Sequence, residues 1–130
     1  MAMPENMRIG LRGEQLTARY LRDRGFTLYG SDFATFSGET DIIALSKDGT
    51  LCFVEVKTRS PGGALPPSAA VDKEKEKRLI RNAAYFLKYA DFEYKRVRFD
   101  IAEVLLSDLF HAEINIIEDA FGHGAFPDKE

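Results

Sequence analysis

Apolar positions recur along this chain in two rhythms. Over Leu11 to Arg24 they have helical spacing, with Leu11, Ala18 and Leu21 on one stripe and Gly25 as the stop. Glu14 falls on that stripe, so an acid is expected on the buried side. Phe26 to Phe33, Glu39 to Leu45 and Leu51 to Arg59 read instead as strands, with Lys47-Asp48-Gly49 turning between the last two. A second helical stripe, Leu79, Ala83 and Leu87, predicts a helix from an Asp72 N-cap to about Ala90. Lys75 extends that stripe by one turn and should bring a cation toward the sheet. Val97 to Leu106 and Ile114 to Ile117 read as two further strands. The Gly/Pro-rich stretch Ser60 to Ala70 predicts an exposed loop, and the residues from about 122 to 130 a loose tail. The order of one helix, three strands, one helix and two strands predicts a single α/β or α+β domain over residues 1–130, a sheet flanked by helices.

Composition narrows the class. A chain of 130 residues with 45% hydrophobic content supports one ordinary core. No apolar run approaches the roughly 20 residues of a membrane span, and the N-terminus lacks the apolar stretch of a signal peptide. A cytoplasmic protein without a membrane partner is expected. The lone Cys52 lies in an apolar run and reads as a core residue. The net charge of -3 is unevenly spread. Residues 57–98 carry 11 Lys/Arg against 5 Asp/Glu, whereas residues 99–130 carry 1 against 8. The basic middle suits either a polyanion patch or a solvated helix face of alternating charge.

The third strand, "CFVEVKTR" at 52–59, carries the chemistry. Glu55 and Lys57 lie two apart in an apolar strand and so point to one face, where unpaired burial of either would cost several kcal/mol. A two-residue turn at Asp48-Gly49 would put Asp41 and Glu55 on opposite sides of the sheet. A three-residue loop, with Gly49 in its left-handed position, sets Asp41 opposite Glu55 and Glu39 opposite Lys57. The second register has the better local chemistry and is the one expected. Two carboxylates about 5 Å apart repel by roughly 3 kcal/mol at an effective dielectric near 20. Lys57 cannot neutralise Glu39, Asp41, Glu55 and an arriving Glu14 together. Hard oxygen donors of this kind select Mg²⁺ or Mn²⁺. Asp41, Glu55 and the Val56 carbonyl would hold the metal, Lys57 would orient water or stabilise growing charge, and Glu14 and Glu39 would complete the outer shell or hold a second ion. A lone Glu-x-Lys on a strand is commonly a surface ion pair; only the joint pattern from Glu14 through Gly38-Glu39-Thr40-Asp41 to Glu55-Val56-Lys57 points to phosphodiester hydrolysis. His111 and His123 read as surface or tail residues, Asp100 as a partner of Arg98 on the same strand face or of the helix cation, and Tyr85, Phe86 and Tyr89 as core or interface packing rather than a base-stacking platform.

These motifs, Gly13-Glu14 with Ala18 and Leu21, GETD at 38–41, CFVEVKTR, Val71 with Lys75 and Leu79, Ala83-Ala84, RFDI at 98–101 and Ala120-Phe121, together resemble the YraN-like family of bacterial proteins. That family is similar to the PD-(D/E)xK nuclease superfamily and to archaeal Holliday junction resolvases. The resemblance implies a restriction-endonuclease-like core with a mixed five-stranded sheet, with Asp41, Glu55 and Lys57 as the nuclease core and Glu14 as the helix-borne acid. The chain departs from the family pattern at Thr40, in place of an aliphatic residue, and at Ser31-Asp32, in place of an Asn-containing strand end. A Mg²⁺- or Mn²⁺-dependent endonuclease acting on branched or damaged DNA is the first expectation, with Arg59, Lys75, Arg78 and Arg81 steering phosphates. The alternatives are a non-enzymatic nucleic-acid-binding or adaptor module and an interaction protein whose acidic last third repels nucleic acid. Analogy with the resolvases implies a homodimer.

Overall fold

The computed structural model describes residues 3–60, 71–108 and 110–129, so the loop expected at Ser60 to Ala70 lies, beyond Ser60, outside the described residues. The elements follow the expected order: α1 (Glu5–Asp23), β1 (Thr27–Thr35), β2 (Gly38–Leu45), β3 (Thr50–Arg59), α2 (Lys73–Tyr89), β4 (Arg96–Leu106) and β5 (Ala112–Phe121). They build one mixed five-stranded sheet in the order β1-β2-β3-β4-β5, an α/β fold. Every pairing is antiparallel except β3 with β4. Parallel neighbours cannot be joined by a tight turn, and α2 lies in the connection between these two.

The first helix starts well before the expected Leu11. Pro4 occupies its N-cap position and gives no side-chain capping bond, so the usual polar start signal is missing from the sequence. Its buried stripe also differs from expectation: Gly13, Thr17 and Leu21 are buried, whereas Leu11 is exposed. Gly13 is what lets the helix ride close to β3, since a Cβ there would come within 1.8 Å of Thr58 Oγ1. The helix ends with a left-handed Gly25, whose N–H donates to the Arg22 carbonyl at 2.9 Å while Phe26 N–H reaches back to Leu21 at 3.0 Å.

Alternation along the strands feeds two apolar clusters. Ile43, Leu51, Phe53, Phe99 and Ile101 pack with Leu79 and Ala83 of α2. Ile42, Ala44, Cys52, Val54 and Ala102 pack with Leu21 of α1. The central strand β3 is buried from Thr50 to Glu55 because both sheet faces are covered. Asn82 of α2, fully buried, ties the β1–β2 hairpin down. Its amide donates to the Phe33 carbonyl and to Thr40 Oγ1, both at 2.9 Å, and accepts from Thr35 Oγ1 at 2.7 Å. Thr40 therefore faces α2 while Ile42 faces α1, and strict alternation slips at Asp41 between them.

The β2–β3 connection is the three-residue loop expected. Ser46 N–H donates to the Thr50 carbonyl at 2.9 Å, Gly49 takes φ +90°, and Ile42↔Val54 through Leu45↔Leu51 set the register. Asp48 accepts from Ser46, from Thr50 N at 3.2 Å and from Thr50 Oγ1 at 2.9 Å, which holds its carboxyl down at about 2. Of the tail expected at about 122–130, residues 122–129 carry no helix or strand. Phe126 nonetheless packs on the Phe99 cluster and Lys129 N–H donates to the Lys95 carbonyl at 2.8 Å. No helix among the described residues is long and apolar enough to cross a membrane.

Candidate functional site

Four elements bring acids to one end of the sheet. Continuing the β2–β3 register one residue past Ile42↔Val54 places Asp41 level with Glu55. The strands stop pairing there, and the Val56 N–H donates to Asp41 Oδ2 at 2.7 Å instead of to a strand partner. From α1, Glu14 brings its carboxylate down beside Asp41. Asp32 of β1 joins them, so that Glu14, Asp32 and Asp41 each offer an oxygen within 4.8 Å of the others. Glu55, only 8% exposed, completes the floor of the site.

This crowding raises proton affinity. Burial, the hydrogen bond to Asp32 and the charge of Asp41 push Glu14 up to about 8. Burial and the Glu55 charge push Asp41 up to about 7 against the opposing pull of the Val56 N–H. Glu39, although exposed, is raised in the same direction, by partial loss of water and by the charge of Asp32. One buried oxygen of Glu14 and one of Glu55 have no hydrogen-bond partner. Buried carboxylate oxygens are costly to leave bare, and a hard divalent cation is the partner that suits an all-oxygen donor set.

Two lysines face the acids. Lys75 Nζ lies 3.2 Å from Glu55 Oε1. Burial alone would lower its pKa, but Glu55 prevails and raises it. Lys57 is lowered, by burial and by the neighbouring Lys75 ammonium. Lys75 thus sits as an internal partner of Glu55, half-exposed, whereas Arg78 and Arg81 are exposed along α2 and Arg59 is half-buried at the end of β3. Glu39 departs from its expected place: it pairs with Ala34 of β1 and is exposed, because the β2–β3 ladder ends before it could meet Lys57.

The sequence reading missed Asp32 as a site residue. Its backbone is left-handed, φ 51°, a conformation that Asp tolerates better than most residues, and this breaks the alternation by which its direction would have been read. Asn82 was missed too, since a polar residue on an amphipathic helix reads as solvent-facing. Elsewhere the titratable groups are structural. Arg98 grips Asp100 through Nε–Oδ1 at 2.9 Å and Nη2–Oδ2 at 3.1 Å, and Asp119 N–H donates to Asp100 at 2.9 Å. Cys52 is buried, and that burial pushes its thiol far up. His111 and His123 are exposed and pair with Asp108 at 2.9 Å and Asp119 at 2.8 Å.

Comparison with known proteins places the chain. The model of the uncharacterised protein family UPF0102 matches residues 13–104, a span that holds every acid and lysine of the site. A UPF0102 protein of Solibacter usitatus is 45% identical over 104 residues, covering 79% of this chain and 77% of its own. One from Alkaliphilus oremlandii is 39% identical over 119 residues, covering 89% of this chain and 99% of its own. Among solved structures, a Silicibacter pomeroyi protein of unknown function aligns over 100% of this chain and 77% of its own, at 17% identity and a TM-score of 0.38. With the motifs, the family match over residues 13–104 and the two UPF0102 relatives in agreement, the chain belongs to the uncharacterised protein family UPF0102, the YraN-like family.

Proposed function

We propose that this protein is a divalent-metal-dependent nuclease that hydrolyses phosphodiester bonds in DNA, on branched or damaged structures. The observation that carries the reading is the meeting of Glu14, Asp32 and Asp41 carboxylates beside a buried, half-satisfied Glu55, with Lys57 at hand. Asp41, Glu55 and the Val56 carbonyl would hold Mg²⁺ or Mn²⁺, with Glu14 and Asp32 as further oxygen donors. Such an ion, when bound, polarises a phosphoryl oxygen and eases deprotonation of a water. Lys57, its ammonium already destabilised by burial and by Lys75, is suited to orienting that water or to countering charge that grows on the phosphate. Arg59, Arg78 and Arg81 supply positive potential for the DNA backbone, and Lys75 acts through Glu55, holding that carboxylate in place.

One observation favours a second reading, a nucleic-acid-binding or adaptor module without catalysis. Glu55 Oε1 is already neutralised by Lys75, so part of the site is balanced with no metal. Mn²⁺ titration in a calorimeter, paired with cleavage assays on duplex, nicked and branched DNA, separates the two. The nuclease binds Mn²⁺, cuts at least one substrate, and loses both properties in Asp41→Asn. Binding of nucleic acid that is equal in chelator and in Mn²⁺, without cleavage, overturns the nuclease reading in favour of the module.

A further inference from the structure

The exposed side of α2 carries a stripe whose aromatic half the acid site does not use. Arg78, Arg81, Tyr85 and Tyr89 follow one another at three- and four-residue spacing, so they line a single face of the helix. Tyr89 is 77% exposed, and Phe36, on the turn between β1 and β2, is 87% exposed. The Phe36 ring stands against Tyr85 at 5.2 Å between centroids, inclined by 70°. Beside them a cleft of about 320 Å³ opens between Tyr29, Phe33, Tyr85, Tyr89 and Phe92. Leaving so many rings in water forgoes burial that would stabilise the fold, and contiguous patches of this kind mark binding surfaces.

The stripe also has a direction. Gly38, two residues after Phe36, packs against Arg78, with a would-be Cβ 3.6 Å from the arginine Cβ, and leads through Glu39 to Asp41. Cations therefore lie between the acid cluster and the aromatic rings. Arg81 has no acidic partner among the described residues, and Arg78 has only the exposed Glu74 at 3.7 Å. Lys88 lies over the Tyr89 ring at 5.6 Å, and Asp91 is the acid that lines the cleft.

We propose that Arg78, Arg81, Tyr85, Tyr89 and Phe36 form a track for single-stranded nucleic acid, the arginines taking phosphates and the rings stacking unpaired bases. Base faces are hidden inside a duplex and free in a single strand, so open rings beside cations select the latter. A second copy of this chain is the poorer occupant: an isologous contact centred on the patch would press Arg78, Arg81 and Lys88 against their own counterparts. The track rests on the nuclease reading only for where its strand leads, and the binding itself stands apart from catalysis.

The test is fluorescence anisotropy with a labelled oligothymidylate of about 16 nucleotides, in chelator so that nothing is cut. An oligouridylate and a DNA duplex of equal length are run beside it, the first separating RNA from DNA. Tyr85→Ala and Tyr89→Ala should each weaken oligothymidylate binding by about tenfold, the scale of one lost stacking contact, and Tyr85→Phe should not. Arg81→Gln should flatten the salt dependence by about one phosphate contact. Duplex binding should be unmoved by the tyrosine changes. Failure of the wild type to bind oligothymidylate, or wild-type affinity in the Tyr85→Ala and Tyr89→Ala variants, overturns the track. So does a dimer in sedimentation that Tyr89→Ala dissolves while strand affinity stays constant. Absence of metal-dependent cleavage with tyrosine-dependent binding intact defeats the nuclease reading alone.

Discussion

Asp41 is held in a conflict of charges: the Val56 N–H favours its ionised form while burial and Glu55 oppose it. A raised carboxyl pKa in the folded state means that the fold prefers the protonated group. The stability this gives is complete below the unfolded pKa near 4 and is lost as pH rises through the folded value, about 7 for Asp41 and about 8 for Glu14. In chelator the melting temperature should therefore fall between about pH 4.5 and pH 8, and Mn²⁺ should restore it most at the alkaline end. A melting curve that is flat across this range in chelator would remove the argument. For the same reason Asp41→Asn should stabilise the metal-free protein at pH 8 by about 1–3 kcal/mol, since Asn keeps an acceptor for Val56 N–H and loses the repulsion. Denaturant unfolding in chelator measures it, and a destabilised variant would show that the charge was satisfied after all.

At the scale of elements, what the sequence showed and what it hid divide along physical lines. Helical period is enough to bring Glu14 toward the sheet beside the buried stripe of α1, and strand alternation to set Glu55 and Lys57 on one face of β3, whereas Asp41 is reached through the register of the hairpin. Gly49 was legible as a left-handed loop residue, and with it the register that sets Asp41 level with Glu55. Asp32 and Thr40 were not, because both depend on a local break in alternation that only the Asn82 clamp and a left-handed aspartate explain. The closeness of α1 to β3 was likewise hidden: Gly13 was noticed as part of a motif, whereas its contact with Thr58 is a matter of packing. Gly13→Ala removes a helix-weakening glycine, which in isolation would add about 1 kcal/mol, but it places a methyl group inside the van der Waals shell of Thr58. The net result should be a loss of about 1–3 kcal/mol, with α1 and Glu14 displaced and Mn²⁺ affinity reduced. A variant as stable as the wild type would mean that the helix can step back without cost.

Taken as a whole, the molecule spreads its charge as its fold requires. The basic segment from Lys57 to Arg98 contains α2, which borders the acid cluster through Lys75 and carries the exposed arginines. The acidic last third supplies most of β4, all of β5 and the fastened tail, and its Asp100 and Glu118 are engaged with Arg98 and its Asp128 with Arg96. A protein of net negative charge can thus present a positive approach to a polyanion on one side. Comparing family members by overall isoelectric point would miss this.

The three-residue loop between β2 and β3 has a consequence for insertions and deletions. The register is set by the paired residues outside the loop, so the connection tolerates added length, whereas a single residue added inside β3 moves every side chain beyond it to the other face. Inserting two residues after Lys47 makes a five-residue loop that leaves Asp41 level with Glu55, at a closure cost of well under 1 kcal/mol. Inserting one residue inside β3, between Val54 and Glu55, turns Glu55 and Lys57 to the other face or forces a bulge to absorb it. Thermal melts and Mn²⁺ calorimetry should find the first variant near wild type and the second either unfolded or blind to metal. A residue added in the turn leaves the two carboxylates level, and the same residue added in the strand parts them.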